Sequence, residues 1–320
     1  MPQPIPRREA LARGISLGAL AAGAMALPAP AAAQGPSADA SAEPFLYCLN
    51  TSTVRGQELG IVREVEIAAE AGYRAVEPWM RDLDRYVTDG GSLADLRKRI
   101  ADLGLSVESA IGFGEWIVDD PERRGRGLEQ ARRDMDTLAQ IGGIRIAAPP
   151  TGATDIVGID LFAAAERYRE LLEVGAQMGV VPQVEVWGFS KTLSRLGETV
   201  LVAIESRHPQ SCVLPDVYHL YKGGSDFTGL KLLGGAAMHV FHINDYPASP
   251  DRADISDADR VYPGDGVAPL DDILRGLAAG GFRGALSLEL FNRDYWQHDA
   301  LLVARTGLEK MRDSVARALA

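Results

Sequence analysis

Four ionisable residues stand where short β-prone runs of the chain end. Glu185 lies in Val184-Glu185-Val186-Trp187, Asp216 in Leu214-Pro215-Asp216, His242 in Val240-Phe241-His242-Ile243-Asn244, and Glu289 in Leu286-Ser287-Leu288-Glu289-Leu290. Each has apolar neighbours, where a lone charged carboxylate is costly to bury. Three carboxylates and an imidazole brought together are stable only around a cation. Oxygen-rich ligation with one nitrogen suits a single divalent ion, Mn²⁺ first and Mg²⁺, Co²⁺ or Zn²⁺ as alternatives; softer metals want thiolate. Such an ion polarises a carbonyl and acidifies the adjacent C–H, and Glu185 or Glu289 would take that proton. Return of the proton through a cis-enediolate gives epimerisation or isomerisation of a sugar, and loss of a neighbouring oxygen gives elimination. Taken singly, a strand-end Glu or Asp is often just salt-bridged, and a lone buried His is often a satisfied core residue. The set of four carries the expectation.

The elements that must position them form a repeating pattern. β-prone runs at 45–49, 75–78, 106–111, 144–148, 181–187, 212–216, 240–244 and 285–290 alternate with amphipathic runs at 58–71, 93–103, 127–141, 161–178, 193–206, 270–279 and 299–318. A short helix around 230–235 would complete the count. Helix-like runs end in glycine, as in Ala71-Gly72-Tyr73 and Met178-Gly179-Val180, the expected C-cap before a strand. Strands alternating with helices imply a parallel sheet, and eight cycles match a single-domain (β/α)8 TIM barrel over residues 44–320. A doubly wound sheet would carry a glycine-rich phosphate loop after the first strand, and Cys48-Leu49-Asn50-Thr51 is not one. In a TIM barrel the chemistry sits at the C-terminal strand ends, where all four residues fall. The four tryptophans, Trp79, Trp116, Trp187 and Trp296, also follow predicted strands. They are candidates to pack a small sugar or keto-sugar, with capping of the barrel as the plain alternative. Glu77, before Pro78-Trp79, either faces the site or forms a structural ion pair.

Val184-Glu185-Val186, Asp216-Val217-Tyr218-His219, Phe241-His242-Ile243-Asn244-Asp245, Pro263-Gly264-Asp265-Gly266 and Ser287-Leu288-Glu289-Leu290-Phe291 together resemble the xylose-isomerase-like TIM-barrel family of sugar isomerases and epimerases. That family includes inosose dehydratases and the AP-endonuclease-2 branch. The resemblance implies that Glu185, Asp216, His242 and Glu289 hold the metal and that His219 contacts substrate oxygens. It also implies a substrate-gripping arginine, for which Arg260 is the candidate. Asn244 departs from the lysine that many relatives carry. The acidic loop 248–259 lengthens the gap between His242 and Glu289 and is expected to cover the barrel mouth. All five histidines lie at or after His208, so the early-strand His with which classical xylose isomerases open the sugar ring is missing. So are the extra ligands of a three-zinc endonuclease. The expectation is a metal-dependent sugar isomerase or epimerase. A lyase, dehydratase or deglycosylase acting on 3-keto-sugars or inososes is the alternative, and a non-catalytic sugar-binding barrel a lesser one.

Residues 1–33 read as a leader: Arg7-Arg8, an apolar run from Gly14 to Leu27, and Ala31-Ala32-Ala33 before Gln34. The run is shorter than a membrane span, and the paired arginines point to twin-arginine export to the periplasm or beyond. Residues 34–43 read as a flexible lead-in. The chain carries a net charge of −11, which argues against a nucleic-acid partner; no membrane span is expected, and a homo-oligomer is left open. Cys48 and Cys212, placed on strands far apart around the barrel, are expected as two buried thiols.

Overall fold

The computed structural model describes residues 43–320; the leader and all but the last residue of the lead-in lie outside the described residues. Eight strands follow in chain order among the described residues: β1 (Leu46–Asn50), β2 (Ala75–Glu77), β3 (Ser106–Val107), β4 (Arg145–Ala148), β5 (Val181–Glu185), β6 (Val213–Leu214), β7 (Val240–Ile243) and β8 (Ala285–Leu288). The helices are α1 (Ile61–Ala71), α2 (Met80–Thr88), α3 (Leu93–Asp102), α4 (Pro121–Gln140), α5 (Leu161–Met178), α6 (Leu196–Glu205), α7 (Val217–Lys222), α8 (Leu270–Ala279) and α9 (Ala300–Leu319). No helix among them is long and apolar enough to cross a membrane.

All pairings between strands are parallel, in the orders β3-β2-β1-β8-β7 and β4-β5-β6. Two short seams join these arcs into a closed barrel. At β3/β4, Ala110 N donates to Arg145 O (3.1 Å) and Ala147 N to Ala110 O (2.8 Å). At β6/β7, Asp216 bridges His242, and His242 N donates to Pro215 O (3.0 Å).

Local signals explain the helix ends. Asp120, Asp160 and Asp299 each accept backbone N–H bonds at the first turns of α4, α5 and α9, relieving unpaired donors. Gly179 ends α5 at φ +72, a conformation that favours glycine. α4 starts six residues before the expected 127 because Asp120-Pro121 supplies both an N-cap and a first-turn proline. The helix expected around 230–235 is instead a pair of short 3₁₀ turns, Phe227–Leu232 and Gly235–Ala237, while the α-helical turns of that connection lie earlier, in α7.

Alternating strand residues face outward into the main core between sheet and helices, and inward into a second, small cluster. Cys48, Ala75, Ile111, Ala147, Leu214, Val240 and Ala285 fill the barrel interior with small or medium side chains. Cys48 and Cys212 are buried and free. Above this apolar floor, at the C-terminal strand ends, the interior turns polar.

Candidate active site

Asn50 ends β1, Glu77 ends β2 and Glu185 ends β5, while Asp216 and Glu289 stand just beyond β6 and β8 and His242 sits within β7. All six are buried. One ligand atom each from Asp216, His242 and Glu289 lies within 4.8 Å of the others, the separation a single ion needs. His242 Nδ1 lies 3.3 Å from Glu289 Oε2, 3.9 Å from Asp216 Oδ2 and 3.9 Å from Glu185 Oε1. It makes no hydrogen bond, and neither does Glu185 Oε2. A buried ring nitrogen facing three carboxylates without a bond is the donor set of a divalent cation, so these residues fit one. Glu185 stands at the edge of the tight trio, with one oxygen left over.

The other face of the imidazole fixes its direction. Glu77 Oε2 lies 3.0 Å from His242 Nε2 and also accepts from Asn50 Nδ2 (2.9 Å) and Ser287 Oγ (2.6 Å). A carboxylate behind a histidine holds the proton on Nε2 and leaves Nδ1 as the ligand. Asn50 links inward and outward: its amide also donates to Glu289 Oε1 (3.2 Å), and its carbonyl accepts from Trp79 Nε1 (2.9 Å). Asp216 Oδ1 caps α7 through His219 N (2.7 Å), while its Oδ2 accepts from Asn244 Nδ2 (2.8 Å).

Arg260 reaches the site. It is fully buried, and its Nη1 donates to Asp216 Oδ2 (2.9 Å) and Glu289 Oε2 (2.9 Å), while Nη2 donates to Asp257 (2.5 Å) and lies 3.1 Å from His219 Nε2. The acidic loop delivers it. Asp245 and Val261 pair at the loop's base, Tyr221 stacks on Tyr246, and Lys222 Nζ donates to Ala253 O and Ile255 O. The loop thus packs along α7.

The carboxyls are pushed in opposite directions. Burial, then the charges of Glu289 and Asp216, raise Glu185 well above the usual range against the pull of His242. Burial also penalises charge on Glu289, but His242 and Arg260 outweigh it and hold this carboxyl low. Burial opposes an imidazolium at His242, yet Glu77 and Glu289 prevail and strengthen its hold on a proton. Burial pushes His219 down to about 3 despite Asp216, so it is neutral at ordinary pH.

An aromatic arc surrounds these groups. Phe291, Trp79, Phe113, Trp187, Phe189 and His219 follow one another with ring centroids 5.9, 5.3, 6.2, 5.1 and 5.5 Å apart. Trp79 and Trp187 therefore stand where the sequence places them, at the mouth. Trp116 requires correction: it is 1% exposed, packs on Tyr168 and donates to Pro149 O within the core. Phe113, 38% exposed, takes its place from the same loop. Trp296 packs over Gly56 and donates to Ser52 O, bracing the segment after β1 rather than joining the arc. Asn50, Ser287, Phe113, Phe189 and Phe291 were not foreseen as site residues; an amide, a hydroxyl and plain phenyl rings carry no signal distinct from ordinary barrel residues. Glu77 is resolved toward the site.

Comparison with known proteins points to the same fold. The family described as Xylose isomerase-like TIM barrel matches residues 65–314. A 3-dehydroshikimate dehydratase of Pseudomonas aeruginosa is 28% identical over 72% of the chain, which spans only 36% of that longer protein. An inosose isomerase of Bacillus velezensis is 24% identical over 84% of the chain and 97% of its own length. Among solved structures, IolI with a bound zinc atom superposes with a TM-score of 0.79 at 22% identity, covering 86% of this chain and 99% of that one.

Proposed function

The chain belongs to the xylose isomerase-like TIM barrel family, and on that premise we propose that it is a divalent-metal-dependent enzyme that moves the proton beside the carbonyl of a small sugar or keto-sugar. Its relatives include isomerases, epimerases and dehydratases. The observation that carries the reading is the buried, unbonded Nδ1 of His242 facing three carboxylates. Asp216, His242 and Glu289 would hold the ion, with Glu185 completing the set. Zinc in IolI supports a divalent ion, and Mn²⁺, Mg²⁺ and Co²⁺ suit the same donors. When bound, the ion supplies Lewis-acid charge for the substrate carbonyl.

The chain's own groups do the rest. Glu185, whose Oε2 makes no hydrogen bond and stands at the edge of the trio, is the group placed to accept the proton; Glu289, held low by His242 and Arg260, keeps its charge. Arg260 and neutral His219 orient substrate oxygens. Trp79, Phe113 and Trp187 pack the apolar face of the substrate and keep water out.

Return of the proton to another face or carbon is isomerisation or epimerisation. Departure of a hydroxyl from the next carbon is dehydration, a second reading supported by similarity to the 3-dehydroshikimate dehydratase. The test is exchange of substrate hydrogen with ²H₂O, followed by NMR for Glu185→Gln and Glu289→Gln with metal content measured in parallel. Loss of exchange with metal retained is expected; exchange persisting in both variants sinks the assignment. The reading also places the enzyme outside the cytoplasm, on the strength of the Arg7-Arg8 leader.

A further inference from the structure

Arg55 is a cation in the mouth that makes no ion pair among the described residues. It belongs to the 3₁₀ segment Thr51–Gln57 after β1. That segment is held to β8 and its loop: Thr53 Oγ1 donates to Leu288 O (2.8 Å) and accepts from Leu290 N (3.2 Å), and Gln57 Nε2 donates to Tyr295 O (3.2 Å). The guanidinium lies 3.8 Å from the Trp79 ring centroid and 5.1 Å from that of Phe291. The Arg260 guanidinium lies 5.0 Å from the same Phe291 ring, so the two cations flank one side chain of the arc.

Their surroundings differ. Arg260 is matched by Asp216, Asp257 and Glu289. Among the described residues Arg55 makes no ion pair, and its Nε and Nη2 are buried with no hydrogen-bond partner. Arg81, 4.9 Å from the Trp79 centroid, adds a second positive charge and is itself paired with Asp82 at 3.5 Å. Desolvation and then Arg81 pull Arg55 down to about 10 against the charges of Glu289 and Asp82, and it is still charged at neutral pH. Glu64, the buried carboxyl nearby, is raised to about 8, so it supplies little negative charge there. A half-buried guanidinium stacked on an aromatic ring and lacking a hydrogen-bond partner is suited to a planar anion.

We infer that Arg55, stacked on Trp79 beside the Glu289 end of the site, is an anion subsite and that the substrate is a ring polyol bearing a carboxylate. A single guanidinium matches one negative charge. This rests on the site assigned above and narrows its substrate class. It makes Arg55 a specificity residue, apart from the groups that move the proton.

The test compares shikimate, a ring polyol carboxylate, with its uncharged methyl ester, binding being followed by quenching of tryptophan fluorescence in the full chain. The wild type should prefer the acid by roughly tenfold or more, about 1.4 kcal/mol, and the preference should shrink with added salt. Arg55→Gln should lose the preference, and Arg55→Lys, which keeps the charge without the planar fork, should retain part of it. A wild type indifferent to the charge, or a preference that survives Arg55→Gln intact, overturns the inference. Should Arg55→Gln not fold, the Lys variant and the salt dependence decide on the same terms. Exchange of a neutral inosose hydrogen with ²H₂O by the wild type separates the two claims: exchange without a charge preference removes the subsite alone, whereas absence of both exchange and divalent-ion uptake removes the underlying reading.

Discussion

Replacing Glu77 with Gln tests whether the site is built around one ring nitrogen of His242. Glu77 Oε2 accepts from three buried donors, His242 Nε2 at 3.0 Å, Asn50 Nδ2 at 2.9 Å and Ser287 Oγ at 2.6 Å. The amide of Gln is nearly isosteric but neutral, and one of its two ends is a donor. Whichever way it turns, it cannot reproduce a charged acceptor that is shared three ways. Loss of a carboxylate behind a ligating histidine typically weakens metal affinity about 10- to 100-fold, which is about 1.4 to 2.7 kcal/mol. Protein stability should fall as well, by roughly 1.5–3 kcal/mol for a hydrogen bond to a charged group. The assay is competition for Mn²⁺ and Zn²⁺ against a fluorescent chelator, with circular dichroism confirming the fold. Affinity within about twofold of the wild type in a folded Glu77→Gln protein refutes the idea that Glu77 orients the imidazole; that threshold lies well below the smallest expected loss.

Other outcomes follow from the same coordinates. Glu64 is buried, and burial followed by repulsion from Asp82 raises its carboxyl to about 8. Between its unfolded value near 4.5 and about 8, the folded state binds the extra proton, so stability falls as pH rises, by at most about 1.4 kcal/mol per pH unit. Glu64→Gln should flatten that slope in denaturant titrations from pH 5 to 9, and an unchanged slope contradicts the burial argument. In α4, a Cβ on Gly127 would lie 2.5 Å from Glu115 O, whereas one on Gly125 meets nothing within 4 Å. Gly125→Ala should therefore stabilise by up to about 1 kcal/mol through helix propensity, while Gly127→Ala destabilises by roughly 1–3 kcal/mol from overpacking; unfolding midpoints that move together refute the distinction. Changing Arg7 and Arg8 to Lys should leave full-length precursor in the cytoplasm, as seen by fractionation, if the leader uses the twin-arginine route.

The strand positions of the barrel are legible because parallel, doubly covered strands are short apolar runs punctuated by glycine. Six of the eight runs extend too far at their C-terminal ends. At 106–111 and 212–216 the ladder stops after two residues, and Ile111 and Asp216 remain only as single bridges. Those are the positions where the chain leaves the sheet to aim side chains at the mouth, so apolarity continues after hydrogen bonding has ended. α2 was missed because it buries only Met80 and Leu83. α7 was missed because it spans six residues and its N-cap is Asp216 itself; a candidate ligand concealed a helix start. The charged members of the site were visible in the sequence, since charge among apolar residues is conspicuous. Asn50 was not, although it joins Glu77, Glu289 and Trp79, because an amide at a strand end looks like an ordinary turn residue.

The two arcs of strands meet at β6 and β7 through little backbone pairing, and Asp216 and His242 face each other across that join. Any occupant gripping both side chains therefore acts as a rivet through a thin part of the wall. Heat resistance and catalytic readiness would then rise together as the rivet is set.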